Sequence, residues 1–201
     1  MSISNYGELK DAASVYMFHQ RFVPQYDNAT TIFEQTANSR LRVRQMETSV
    51  PLTTVDGEVT IPSDYLLWRT VLSPADTPPE LGYVHPAYLD AAGGAKVFAI
   101  EGNLFKTRPK NDAVNAYQFH YYQKIPSIVS ATPTVSNWLI VAYPSLYLFG
   151  VLAELFALGR NLEAAQLYKA RRDEIFAEVI QLSALTTGAS SPAVREDPRY
   201  F

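Results

Sequence analysis

Histidine is the first side chain to weigh for acid–base or metal chemistry, and the sequence carries three, His19, His85 and His120. They fall in separate stretches, with no spacing that would set two on one helical face, so neither a zinc site nor a nucleophile–base pair is read from them. Cysteine is absent, which removes thiolate catalysis, disulfides and cysteine zinc sites together. The Gly-x-Ser-x-Gly elbow, a phosphate-cradling glycine loop ending in Lys-Ser/Thr, and His-Glu-x-x-His are missing as well. Paired carboxylates such as Glu58 with Asp64, or Glu101 with Asp112, would suit a glycosidase if folding set them at catalytic separation. They lie at turns beside strands, where solvation alone accounts for acidic side chains. The expectation is no catalytic residue, no metal ligand and no cofactor site.

Arg40, Arg42 and Arg44 form a sharper cluster. On a strand all three point one way, whereas on a helix Arg40 and Arg44 share a face and Arg42 departs from it. Either geometry would grip phosphate or a carboxylate-bearing partner. The competing account is a solvated helix end whose charge complements the C-terminal dipole. Tyr117, Phe119, Tyr121 and Tyr122 alternate as strand formers do. Base stacking on them would call for a positive field, and the chain has 17 basic against 20 acidic side chains and a net charge of -3. Asn28-Ala29-Thr30 matches a glycosylation sequon, but without a secretory pattern in the first residues the match carries no weight.

The elements that must position these residues are legible from periodicity. Asn5 is a plausible N-cap, and Leu9, Ala12, Ala13, Tyr16 and Met17 then line one helical face. Pro24 fits the first turn of a second helix, continued by Tyr26, Ala29, Phe33, Ala37 and Leu41, with β-branched Thr30-Thr31-Ile32 as its weak point. From Thr48 the period changes. Val50, Leu52 and Val55 lead into an Asp56-Gly57 hairpin turn, followed by strands ending at Pro62 and covering Leu66 to Leu72, Val97 to Ile100, Leu104 to Arg108 and Tyr117 to Lys124. A helical turn is expected around Pro86 to Leu89. Helices return with Asn137 as a cap, Pro144 as a start, Gly159 as a stop and a long amphipathic helix from Asn161. In that last helix Tyr168, Ile175, Phe176, Val179 and Leu182 form the apolar face, and Arg172 is counted among the charged faces.

These elements predict an α+β fold in which N- and C-terminal helices build a helical bundle around an inserted small antiparallel β module. The expected divisions are 1–47 and 131–183 for the bundle, 48–130 for the β module, and 184–201 for an extended or mobile tail. The 201 residues are 47% hydrophobic, enough for one domain or two small ones. No apolar run approaches the roughly 18 to 20 residues of a bilayer crossing, and no signal peptide is read, so no membrane partner is expected and the chain is placed in the cytosol or in something assembled there.

The order of segments carries more than any one of them. Tyr6-Gly7-Glu8-Leu9, Leu41 to Thr48, Thr54-Val55-Asp56-Gly57-Glu58, Ile61-Pro62-Ser63-Asp64-Tyr65-Leu66, Ile100 to Leu104 before Pro109, Tyr121 to Pro126, and Asn137-Trp138-Leu139 before Tyr143-Pro144-Ser145-Leu146-Tyr147-Leu148-Phe149-Gly150 follow one another across residues 6 to 182. In that order the chain resembles the tailed-bacteriophage head-to-tail adaptor, or head-tail connector, family, of the short-tailed type. Ser145 departs from the acidic residue sought after Tyr-Pro, and the Ser73 to Pro79 loop, Gly93-Gly94 and the stretch from Ala184 match no part of the pattern.

The resemblance implies a structural virion protein at the head–tail interface, assembled in the host cytoplasm as a homo-oligomeric ring of twelve copies. Its partners would be the portal protein on one side and a tail or nozzle protein on the other. Genomic DNA would pass through the ring without specific binding, which a modest negative charge suits. Arg40, Arg42 and Arg44, with Arg199, Tyr200 and Phe201 of the tail, are the candidate subunit or portal contacts. A cell-wall or carbohydrate-active hydrolytic tail component is the alternative reading and would need two close carboxylates in a cleft. A nucleic-acid-binding module would need salt-dependent DNA affinity.

Overall fold

The computed structural model describes residues 3–17, 23–74, 77, 79–109 and 115–187. The chain is α+β and separates into two compact units, one built from the segments up to Gln45 and from Ile125 onward, the other from Met46–Lys124.

The first unit is helical. Helix α1 (Tyr6–Tyr16) starts at Asn5, whose side chain accepts from Glu8 N at 3.0 Å, while the Glu8 carboxylate accepts from Ser4 N and Ser4 Oγ at 2.7 and 2.8 Å. The Glu8 N–H that the helix start would leave unsatisfied is thereby paired, and the Glu8 carboxylate holds the chain just before the cap. Tyr6 N and Gly7 N donate to Val135 O and Pro133 O. A Cβ on Gly7 would lie 3.0 Å from the Pro133 Cβ and 3.2 Å from its carbonyl oxygen, so a larger residue there would have to push residue 133 back by a few tenths of an ångström.

Helix α2 (Val23–Arg40) buries Tyr26, Ala29, Thr30, Phe33, Glu34 and Ala37, and its stripe ends on Leu41. The hydroxyls of Thr31 and Thr36 bond back to the carbonyls of Asp27 and Ile32, so the β-branched stretch stays helical under packing that propensity alone does not supply. After the β strands, Ile125 and Ile128 are buried, and their N–H groups donate to Asn38 Oδ1 and Glu34 Oε1, which ties residues 125–128 to α2 rather than to the β module.

Helix α3 (Trp138–Ala142) is capped by Asn137, and α4 (Pro144–Leu158) starts on Pro144. Helix α4 is apolar almost all round because α2 and α5 pack on it; Leu146, Tyr147, Val151, Leu152 and Leu155 are all buried. Gly150 faces Phe33, and a Cβ there would lie 2.0 Å from the ring, so the α2–α4 crossing depends on its absence.

Helix α5 (Leu162–Thr187) runs four residues past the expected end at Ser183, since no breaker occurs before Gly188. Its inward stripe also corrects the expectation. Ala165, Arg172, Phe176 and Val179 are buried and Tyr168 is half-buried, whereas Leu182 is 45% exposed. Steps of three and four residues from Tyr168 lead through Arg172, Phe176 and Val179 to Ser183, leaving Leu182 one residue off that line.

The second unit holds two small sheets. Strands β1 (Glu47–Thr54), β7 (Asn115–Gln123) and β3 (Tyr65–Leu72) form one in the order β1-β7-β3. Strands β2 (Glu58–Thr60), β6 (Leu104–Arg108), β5 (Val97–Glu101) and β4 (Gly82–Tyr83) form the other. All pairings are antiparallel except β4 with β5, a two-residue parallel contact that strand periodicity does not reveal. Asp56 and Gly57 both take positive φ, 52° and 75°, as a tight primed hairpin turn requires, with Val55 and Glu58 bonded across it. The turn also hands the chain from one sheet to the other, because β1 pairs with β7 and β2 with β6. Leu52, Val71, Phe98, Phe105, Phe119 and Tyr121 make the shared core.

Candidate functional site

The three arginines do not form one grip. Arg40 is the last residue of α2, and its Nη1 lies 2.5 Å from Asp173 Oδ1 on α5, with its guanidinium 5.1 Å from the Phe176 ring centre. Arg42 follows the helix and turns its Nη1 back to Asn38 O at 2.7 Å and Leu41 O at 2.5 Å, satisfying carbonyls that the end of α2 leaves open. Arg44 opens a single 3₁₀ turn (Arg44–Met46); its backbone N–H reaches Ser183 Oγ at 3.4 Å and its side chain is exposed. The segment is neither strand nor continuous helix, so neither expected alignment of the three side chains occurs. The helix-end account describes Arg42, Arg40 is exposed but paired with Asp173, and Arg44 stands outward at the start of the 3₁₀ turn.

A buried cation that periodicity had assigned to a solvated face completes the Arg40 site. Arg172 is 5% exposed and spans α5 to α4, its Nε 3.1 Å from Asp173 Oδ1 and its Nη1 3.4 Å from Glu154 Oε1. Burial would raise the Asp173 carboxyl, but hydrogen bonds from Arg40 and Arg172 and their charges outweigh it and hold the group below its ordinary value. Glu154, Arg172, Asp173 and Arg40 thus link α4, α5 and the end of α2.

A second network was also missed. Glu34 is 5% exposed; its Oε1 accepts from Ile128 N at 2.8 Å and from Tyr147 Oη at 3.1 Å. Asn137 Nδ2 donates to Tyr147 Oη and to Pro126 O, both at 2.7 Å, while Asn137 Oδ1 accepts from Ile140 N. Burial pushes the Glu34 carboxyl up despite hydrogen bonds from Ser127, Ile128 and Tyr147, and burial followed by the Glu34 charge pushes the Tyr147 hydroxyl up. The signal was available: Thr30, Glu34, Ala37 and Leu41 follow each other at helical spacing, so Glu34 stands in an apolar register.

The remaining candidates are held by structural partners. His85 Nδ1 accepts from Ala87 N at the start of the 3₁₀ segment Pro86–Ala91, and His120 lies on β7 opposite Ser49 and Thr70. Glu101 pairs with Lys106 at 2.6 Å, and the same lysine lies 4.0 Å from Glu58. Asp64 accepts from Tyr121 Oη at 2.9 Å; burial first, then that bond and charge, push Tyr121 up to about 12. Phe119 and Tyr121 are core residues, not a stacking platform. Among the described residues no group of three metal-ligating side chains is found, and no helix is long and apolar enough to cross a membrane. His19, Asp112, Arg199, Tyr200 and Phe201 lie outside the described residues.

The helical unit also presents apolar surface. Leu162, Leu167, Leu182 and Leu185 of α5 are 45–71% exposed. A groove of about 640 Å³ between α1, α4 and α5 is lined by apolar and aromatic side chains including Val15, Tyr16, Leu148 and Tyr168. Contiguous exposed apolar area marks contact surfaces, and α4 and α5, which carry part of this area, are joined through Glu154, Arg172 and Asp173.

No curated protein matches the chain. The family model described as SU10 adaptor protein matches residues 4–196, which takes in both the helices and the β strands. The chain belongs to the SU10 adaptor protein family, a family of phage head-to-tail adaptors, and so is a structural virion component.

Proposed function

We propose that the protein acts as one subunit of a closed ring of twelve copies seated beneath the portal, where it lengthens the channel for departing DNA and gives the tail or nozzle a docking surface. The family match over residues 4–196 carries this reading. The exposed leucines of α5 support it, because a ring is built from heterologous contacts in which a patch of one subunit meets a different patch of the next. The charge of -3 suits a conduit along which DNA slides without being held. No step of this function makes or breaks a bond.

Arg44 is the arginine left to contribute charge to a neighbour or to portal, since Arg40 and Arg42 are engaged within the subunit. Arg199, Tyr200 and Phe201 remain proposed contacts in the assembled state. The test is direct. Purified chain mixed with portal and imaged by electron microscopy should show a ring added beneath portal, and a chain that stays separate from portal at all concentrations would refute the proposal.

A further inference from the structure

The groove between α1, α4 and α5 is an apolar hollow on the helical unit. Tyr16 and Tyr168 stand edge to face across it with ring centres 6.2 Å apart, and Val15 and Tyr16 are 53% and 43% exposed. Its volume of about 640 Å³ falls within the roughly 300–1,000 Å³ of sites that enclose a compact apolar ligand. Pro144 and Ser145, the first residues of α4, line the same hollow. That first turn has no acidic residue and no side-chain cap of its own, and a helix start favours a negative group beside it.

The chain itself contains a segment with the complementary chemistry. Between Phe176 and Tyr200 the sequence has no aromatic residue; then Glu196-Asp197-Pro198-Arg199-Tyr200-Phe201 places two aromatics just after two acids. Tyr168 and Thr187 lie on one helix and are separated by about 28 Å at 1.5 Å per residue. Residues 188–201 span about 45 Å when extended, and as a flexible chain their mean reach is about 20 Å, so the return to Tyr168 is within range. A tether of this length keeps its end at an effective concentration in the millimolar range, which favours the chain's own segment over a dilute second copy.

We propose that in the free subunit residues 196–201 fold back over this groove, seating Tyr200 and Phe201 against Val15, Tyr16, Leu148 and Tyr168, with Glu196 and Asp197 beside the first turn of α4. The acids complement the helix start, and the aromatics cover the exposed apolar surface. This contact belongs to the subunit in isolation and stands or falls without portal.

The experiment compares methyl spectra of the full-length chain and of its Tyr200→Ala/Phe201→Ala variant, both labelled at Val, Leu and Ile, in the absence of portal. The Val15 and Leu148 methyls should be displaced by ring currents in the parent and lose that displacement in the variant, equally at every protein concentration. The Leu155 methyls, buried elsewhere on α4, should not move. A second full-length variant, Val15→Asp at an exposed position, should release the segment and show the same loss at Leu148. Identical parent and variant spectra would overturn the proposal, as would a displacement that grows with concentration, since a second copy would then fill the groove.

Discussion

Glu34 shows how much a single buried carboxyl contributes to this fold. Its raised pKa means that the folded state holds the proton more tightly than the unfolded chain does. Below the ordinary carboxyl range the group is protonated in both states and carries no penalty. As pH rises from that range through the raised value, the native state must bury a charge, and stability falls. Urea denaturation across this interval should therefore show a decline that Glu34→Gln largely removes. Asp173 has the opposite sign: its lowered pKa gives stability that is present above the ordinary aspartate value and lost as pH falls through the lowered one. Tyr147→Phe removes a donor to Glu34 and an acceptor for Asn137, and should cost about 1–3 kcal/mol in the same assay because those groups stay buried without a replacement. Among the surface arginines, Arg40→Glu should lower the thermal midpoint of the subunit by setting like charges against each other at Asp173. Arg44→Glu should leave that midpoint unchanged.

The same contrast appears among the elements. Those whose boundaries rest on local chemistry were legible: Asn5 and Asn137 as caps, Pro144 as a helix start, Asp56-Gly57 as a hairpin turn. Features that depend on distant residues were not. Arg172 looks solvent-facing until Glu154 and Asp173 are known to flank it, and the β4–β5 pairing joins a two-residue strand that has no period to detect. Three arginines at alternate positions share a direction only on a strand, whereas their segment is a helix end followed by a 3₁₀ turn. Gly150 stands inside α4, and Phe33 from a separate helix occupies the space its side chain would take, which no local pattern reveals. Gly150→Ala should accordingly destabilise the subunit by about 1–3 kcal/mol or more, measured by denaturation, with Phe33 too enclosed to yield. Phe33→Leu, itself destabilising, should recover part of that loss when combined with it, a non-additivity expected of residues in direct contact.

At the scale of the whole molecule, the family match places the chain among the phage adaptors, and the proposed ring turns its exposed helical surface into an interface. Arg44→Glu provides the test at this level: binding to portal should weaken in a pull-down while the subunit's own melting is unaltered, and a parallel loss of both would assign Arg44 to the fold. One feature of the β module reaches further. Its first and last strands are paired neighbours, Glu47 standing opposite Tyr122, so the polypeptide leaves and rejoins the helices through adjacent stalks. A module attached in this way is a cassette. Lengthening a turn within this unit, such as Asp56-Gly57, should therefore leave the chain's entry and exit side by side, because the β1–β7 register that sets them is not involved.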